Sequence, residues 1–190
     1  FPAKRIVHHL ANATAIRTSS LRGLGALPNV FALECFMDEL ADRAGIDPLA
    51  YRLSVLSDPR ARKLLESVGE RSHWAARGPT GTGRGLGLAW SRYKNRAAYA
   101  AVAVELDVDK EVRLRRVWCA VDAGLVINPD GAKNQVEGGI VHAASMTLKE
   151  RVLIEGDGIV SLDWDSYPIL KFSEVPEIDT VIMHNPDMPK

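Results

Sequence analysis

Between Asn29 and Ala44 the apolar residues Val30, Leu33, Met37, Leu40 and Ala44 recur at helical spacing, with Glu34, Asp38 and Asp42 on a second stripe. A stripe with a period near 3.6 residues predicts a helix starting at Pro28 and Asn29, its apolar face on a core and its acidic face in solvent. Gly45 ends it, as a glycine just past the last periodic residue commonly does. Two shorter helices follow. Asp47-Pro48 and Asp58-Pro59 each set a capping carboxylate before a proline at the first helical position. The first of these helices reaches about Leu56 through Leu49, Arg52 and Leu53, and the second runs from Arg60 to about Glu70 through Leu64, Leu65 and Val68.

The period then changes. Beyond the linker-like run Pro79-Thr80-Gly81-Thr82-Gly83, residues 85–93, 97–107 and 112–122 show alternating or β-branched apolar positions, the last two joined by the turn Asp109-Lys110-Glu111. A helix is predicted over about 130–150, a hairpin-like piece around Gly156-Asp157-Gly158, and a last strand over 180–184. Residues 1–20 read as an irregular lead-in, followed by the glycine-punctuated loop Leu21-Arg22-Gly23-Leu24-Gly25. This order predicts an α+β fold: a helical layer, residues 1–80, then a mixed or antiparallel sheet with a packed glycine-containing helix, residues 81–190.

Composition narrows the function classes. The 24 basic and 24 acidic residues cancel and neither sign forms a block, which argues against a nucleic-acid stripe. No apolar run is long enough for a transmembrane segment. Cys35 and Cys119 have no second Cys or His at ligand spacing, so they read as buried free thiols and no metal ligand is assigned. A start at Phe1 without Met, and an end that runs straight off a strand, read as a piece of something longer.

The predicted helix over 130–150 carries the densest candidate chemistry. Its Gly138-Gly139 pair gives up about 1–2 kcal/mol of helix stability, a cost usually met where a backbone or bulky ligand approaches closely. Gln135, Gly139 and His142 fall at i, i+4 and i+7 with Gly138 and Ser145 beside them, while Val136, Ile140, Ala144 and Leu148 supply the opposite, apolar face. A glutamine amide both donates and accepts, which suits the edge of a heterocycle or a metal-bound oxo group. The alternative is a solvated Gln135 and glycines that merely allow close packing. Arg22, flanked by Gly23, presents a fixed cationic fork that could steady an anionic or carbonyl group, or simply form a loop salt bridge. His8, His9 and His142 lack partners at ligand spacing and receive no role. Glycine-dense Gly81–Gly87 precedes a strand rather than a helix, so the dinucleotide fingerprint does not apply. No nucleophile–base pair or paired carboxylates stand out, and Glu34, Asp38 and Asp42 read as a solvated face.

Taken in order, Leu21-Arg22-Gly23-Leu24-Gly25, Pro28-Asn29-Val30-Phe31-Ala32-Leu33-Glu34, Val121-Asp122-Ala123-Gly124, Asn128-Pro129 and Gln135-Val136-Glu137-Gly138-Gly139 resemble a known family. It is the large molybdopterin-binding subunit of the xanthine oxidase family, most closely the isoquinoline 1-oxidoreductase and aldehyde dehydrogenase type. The resemblance runs from about Thr18 to Pro189 and implies a molybdopterin-binding-domain-like fold. It implies that Arg22 lies beside molybdenum and substrate, and that Gly23, Gly25, Gln135, Gly138 and Gly139 meet the cofactor. That cofactor would be molybdenum–molybdopterin cytosine dinucleotide, with [2Fe–2S] clusters on a small partner subunit. Leu21 and Leu24 stand where purine hydroxylases carry phenylalanines, so purines are not the implied substrate. The implied reaction hydroxylates an aldehyde or N-heterocycle with oxygen from water. Its base, a glutamate of a Gly-x-Gly-Glu motif, is expected beyond Lys190, so the 190 residues alone are expected to be inactive. Two rival readings stand beside this one: a non-catalytic assembly module whose helical layer, 29–70, docks a partner, and a flavin- or nucleotide-binding domain.

Overall fold

In the computed structural model of the chain, residues 3, 5–10, 16, 18–78, 83–94 and 96–186 are described; most of the linker-like run, Pro79 to Thr82, lies outside them. The chain forms two compact units, Phe1–Ser57 and Asp58–Lys190.

The first unit is built on α1 (Ala26–Ala44) and α2 (Pro48–Val55). Helix α1 starts earlier than its apolar stripe predicts, because the Asn29 side chain donates to the Gly25 carbonyl at 2.6 Å and closes the first turn. Pro28 is then within that turn, where its missing N–H removes no helical bond. Gly45, at φ 64°, ends the helix as expected. The buried face is Glu34, Met37 and Ala41, with Leu33 left 57% exposed, so the core side is rotated toward the acidic stripe. That overturns the solvated reading of Glu34, whereas Asp38 stays exposed although it is paired. Their partner is Arg52 of α2, whose side chain is fully buried. Its Nε donates to Glu34 Oε2 at 2.9 Å, its Nη2 to the Glu34 carbonyl at 2.9 Å and its Nη1 to Asp38 Oδ1 at 2.6 Å. Asp42 is exposed, as predicted.

The second unit opens with α3 (Pro59–Arg71), capped by the Asp58 carboxylate, and continues into β1 (Arg84–Tyr93), β2 (Ala98–Val108) and β3 (Val112–Asp122). Helix α4 (Pro129–Leu148) and the short hairpin β4 (Ile154–Glu155) and β5 (Gly158–Ile159) precede β6 (Glu177–Met183). The sheet order is β1-β2-β3-β6, the first two pairings antiparallel and β3–β6 parallel, which makes the sheet mixed. Strand β6 begins before the predicted 180–184 because its polar start is paired too: Glu177 meets Arg116 of β3 at 3.0 Å and Asp179 accepts from Arg71 of α3 at 2.7 Å.

Helix α3 buries Ala61, Leu64, Leu65 and Val68 and packs on β2 and β3. Ala101, Ala103 and Ala120 are fully buried in those two strands, and their small side chains let a helix lie close to a sheet. Helix α4 is the crossover from β3 to β6 and packs on β6. Burial pushes the Cys119 thiol in β3 up to about 12, whereas Cys35, expected to be buried, is exposed because the buried face of α1 runs through Glu34, Met37 and Ala41. A thiol reagent at neutral pH should therefore label Cys35 alone in the native chain and both cysteines in denaturant; rapid native labelling of Cys119 would contradict this burial.

Candidate functional site

The Arg22 loop is a tight turn. The Leu24 N–H donates to the Leu21 carbonyl at 3.0 Å, and Gly23 at φ 89° occupies the position that demands left-handed backbone. Leu24 follows at φ 51°, uncommon for a residue with a side chain. Arg22 is therefore presented on a constrained backbone, and it is exposed. A hollow of about 620 Å³ beside the turn is lined by Ser20, Arg22, Leu24, Gly25 and Pro28. Gly25 closes the loop as the N-cap of α1. Thus Arg22, Gly23 and Gly25 come together in the first unit.

Gln135, Gly138 and Gly139 come together on α4 in the second. Asn128 caps this helix, its Oδ1 accepting from the Gly131 N–H at 2.9 Å, and Pro129 takes the first helical position. Gln135, Gly138 and His142 are exposed, Gly139 is half-buried, and Ala144 is buried on the side toward the sheet. A Cβ built on Gly138 meets no atom within 4 Å. The glycine does not, then, serve close packing against any described part of this chain. Ser145 differs from the sequence reading. It is buried, and its hydroxyl accepts from the Leu170 N–H at 3.0 Å, so it anchors the segment before β6 instead of joining the polar face.

Strands β3 and β6 run parallel and end side by side, at the edge from which the chain leads into α4. In open sheets such a carboxyl edge of parallel strands is a preferred ligand position. Here the two exits are tied together by a cluster that periodicity did not reveal. Asp122, the last residue of β3 and 4% exposed, accepts from Arg60 Nε at 2.9 Å and Nη2 at 2.8 Å. It also accepts from the Gly124 N–H at 2.9 Å and the Asn185 side chain at 3.4 Å. The Arg60 guanidinium lies 4.1 Å from the centre of the Tyr99 ring, and the Tyr99 hydroxyl donates to Asp58 Oδ2 at 2.8 Å. The only sequence signal was Asp122-Ala123-Gly124, which carried no assigned role.

The Arg60 hydrogen bonds hold the Asp122 carboxyl below the usual carboxylate range. At Asp58 burial pushes upward, but the Tyr99 hydroxyl, the α3 amides and Arg92 outweigh it and the net shift is also downward. Both groups bind protons more weakly folded than unfolded, so their stabilisation is present above the ordinary carboxylate value and lost as pH falls through the lowered one. Urea unfolding of the second unit should therefore show stability falling below about pH 4, with a shallower fall in Asp122→Asn. An unchanged slope in that variant would contradict the assignment.

A separate hollow of about 850 Å³ lies at the far end of α4, lined by Leu114, Arg115, Leu148, Lys149, Leu170 and Glu174. Leu148 is 13 positions beyond Gln135, about 20 Å along a helix axis, so this hollow is not part of the glycine face. Among the described residues there is no group of His, Cys, Asp and Glu side chains able to hold a metal ion. No helix among them is long and apolar enough to cross a membrane.

A sequence profile for the molybdopterin cofactor-binding domain matches residues 50–176. The chain belongs to this family. A nicotinate dehydrogenase subunit of Pseudomonas putida is 40% identical over 192 residues, 91% of this chain and 16% of that relative. The beta subunit of isoquinoline 1-oxidoreductase from Brevundimonas diminuta is 37% identical over 163 residues, 83% of this chain and 21% of the relative. The chain thus spans only a small part of the length of these curated relatives. The crystal structure of aldehyde oxidoreductase from Desulfovibrio desulfuricans superposes with a TM-score of 0.68 over 86% of this chain and 35% of that one, at 12% identity, and shares its fold. Family and relatives place the chain where its motifs pointed, in the xanthine oxidase family of molybdenum hydroxylase large subunits, with an α+β molybdopterin-binding fold.

The α4 face suits the group this family binds. A pterin presents a flat surface and an edge of donors and acceptors. Gly138 offers a helix surface with space where a side chain would stand, and Gln135 beside it offers an amide that can donate and accept.

Proposed function

We propose that this chain forms part of the cofactor-holding wall of a molybdenum hydroxylase that oxidises an N-heterocycle or an aldehyde with oxygen from water. The observation that carries the reading is the open Gly138 surface beside exposed Gln135 on a helix rooted at the carboxyl edge of two parallel strands. Two relatives named for nicotinate and isoquinoline favour the N-heterocycle, ahead of the relative named as an aldehyde dehydrogenase, which is 27% identical. The cofactor is proposed in its cytosine dinucleotide form, with electrons leaving to a small [2Fe–2S] subunit.

In this reading Gln135 orients the cofactor by amide hydrogen bonds, and Gly138 and Gly139 admit it close to the α4 backbone. Arg22 is carried on a turn fixed by Gly23 and Gly25. Its guanidinium binds a carbonyl or carboxylate of the substrate and holds the reacting carbon in place. Leu21 and Leu24, both exposed beside it, exclude water from a flat ring. The bound molybdenum cofactor supplies the oxygen- and electron-transfer chemistry itself. The 190 residues alone are expected to give no turnover.

Molybdenum and nucleotide analysis of the purified whole protein is expected to return molybdenum and cytidine nucleotide. Flavin or nucleotide without molybdenum would overturn the reading. In that protein Gln135→Ala should lower molybdenum content, and Arg22→Ala should lower kcat/KM by roughly tenfold to a hundredfold, the ordinary loss for a positioning contact. Wild-type values in both variants would remove the site assignment.

A further inference from the structure

We infer that Asp122, gripped by Arg60, is the positioning residue that sets the start of α4 and thereby the direction in which Gln135 and Gly138 face; this rests on the cofactor reading proposed above. The link between β3 and α4, residues 123–128, has little apolar anchorage, with Leu125 41% and Ile127 83% exposed and Val126 alone half-buried. Its path then depends chiefly on hydrogen bonds at its two ends. At the far end Asn128 caps α4. At the near end Gly124 sits at φ 77°, where a side chain would be strained, with its N–H on Asp122 Oδ1 and its carbonyl accepting from the Asn185 N–H at 3.1 Å.

The carboxylate of Asp122 is fully used. Oδ1 accepts from Arg60 Nη2 and Gly124, and Oδ2 accepts from Arg60 Nε and the Asn185 side chain. These four bonds match the acceptor capacity of a carboxylate. Arg60 is itself fixed, by the Asp122 and Arg96 carbonyls at 3.2 and 2.8 Å and by the face of Tyr99. One side chain thus joins α3, the end of β3, the link into α4 and Asn185, two residues past β6. Packed apolar residues would commonly stabilise such a junction at least as well as a buried ion pair. What the ion pair adds is direction: it selects one conformation for the Gly124 turn and one exit angle for α4.

The test uses the whole, cofactor-loaded protein and reads amide hydrogen exchange together with molybdenum content in the folded, soluble fraction. Asp122→Asn is expected to speed exchange over residues 124–135 by about tenfold, with β2 unchanged, and to lower molybdenum content by about tenfold, as losing an outer support of a metal site commonly does. Gly124→Ala strains the same turn while leaving the buried pair intact, and should reproduce the local change even if Asp122→Asn folds poorly. Unchanged exchange over 124–135 in both variants overturns the inference. So does a uniform increase across α3, β2 and β3, which a merely structural ion pair would give. Gln135→Ala separates the two levels. Full molybdenum content there removes the cofactor reading and this inference with it, whereas reduced content there beside wild-type exchange and content in Asp122→Asn removes the inference alone.

Discussion

Replacing Gly138 by leucine is expected to stabilise the chain by about 0.5–1 kcal/mol while depleting the whole protein of its cofactor. The two effects have opposite signs for one reason. Gly138 stands in the interior of the twenty-residue helix α4, where glycine is a poor helix former, and nothing lies within 4 Å of its virtual Cβ. A side chain there gains helix propensity and collides with no described atom. If a cofactor lies against that surface, the same side chain overpacks the contact at a cost of about 1–3 kcal/mol, which is roughly thirtyfold in affinity at the middle of that range. Urea unfolding of the cofactor-free chain and molybdenum content of the whole protein measure the two sides. A variant that is destabilised yet retains full molybdenum would show that Gly138 serves packing and not ligand approach.

Arg52→Met should destabilise the first unit by about 3–5 kcal/mol, because it leaves the Glu34 carboxylate, 5% exposed, buried without its counter-charge. The loss is large for a unit of this size, since folded chains hold only about 0.05–0.15 kcal/mol per residue in reserve. The Glu34 carbonyl loses a donor at the same time, and Asp38 loses its 2.6 Å partner. Adding Glu34→Leu to Arg52→Met should restore most of the stability, as removing both charges of a buried pair often does. Hydrogen exchange over residues 26–55 reads the effect directly. A single variant within about 1 kcal/mol of wild type would mean that the pair is well solvated in solution. Lysine is not an adequate replacement, since it cannot span the Glu34 side chain, the Glu34 carbonyl and Asp38 with one planar fork.

Local signals were legible in the sequence, and long-range polar pairings were not. Asp47-Pro48 and Asp58-Pro59 marked their helix starts because cap and proline act within one turn, and both carboxylates accept the expected amides. Alternation located β1, β2 and β3 to within about one residue, since each packs on its neighbours in a regular pleat. Glu34 was misread because a charge at helical spacing looks solvated until its partner is known, and Arg52 lies 18 positions away. The parallel seat of β6 beside β3 has no turn signature, because a crossover helix and a hairpin intervene. Arg60 and Asp122 are 62 positions apart and meet only once α3 lies across the sheet. Gln135 and the glycines could be named as candidates because their peculiarity is intrinsic: two weak helix formers beside an amide, on a face with no apolar content.

The most direct measurement is a molybdenum anomalous-scattering map from crystals of the whole protein. The peak is expected beside the face of α4 that carries Gln135 and Gly138. A peak remote from that face, or a Gly138 surface covered by ordinary apolar packing, would contradict the assignment of α4 as the cofactor wall.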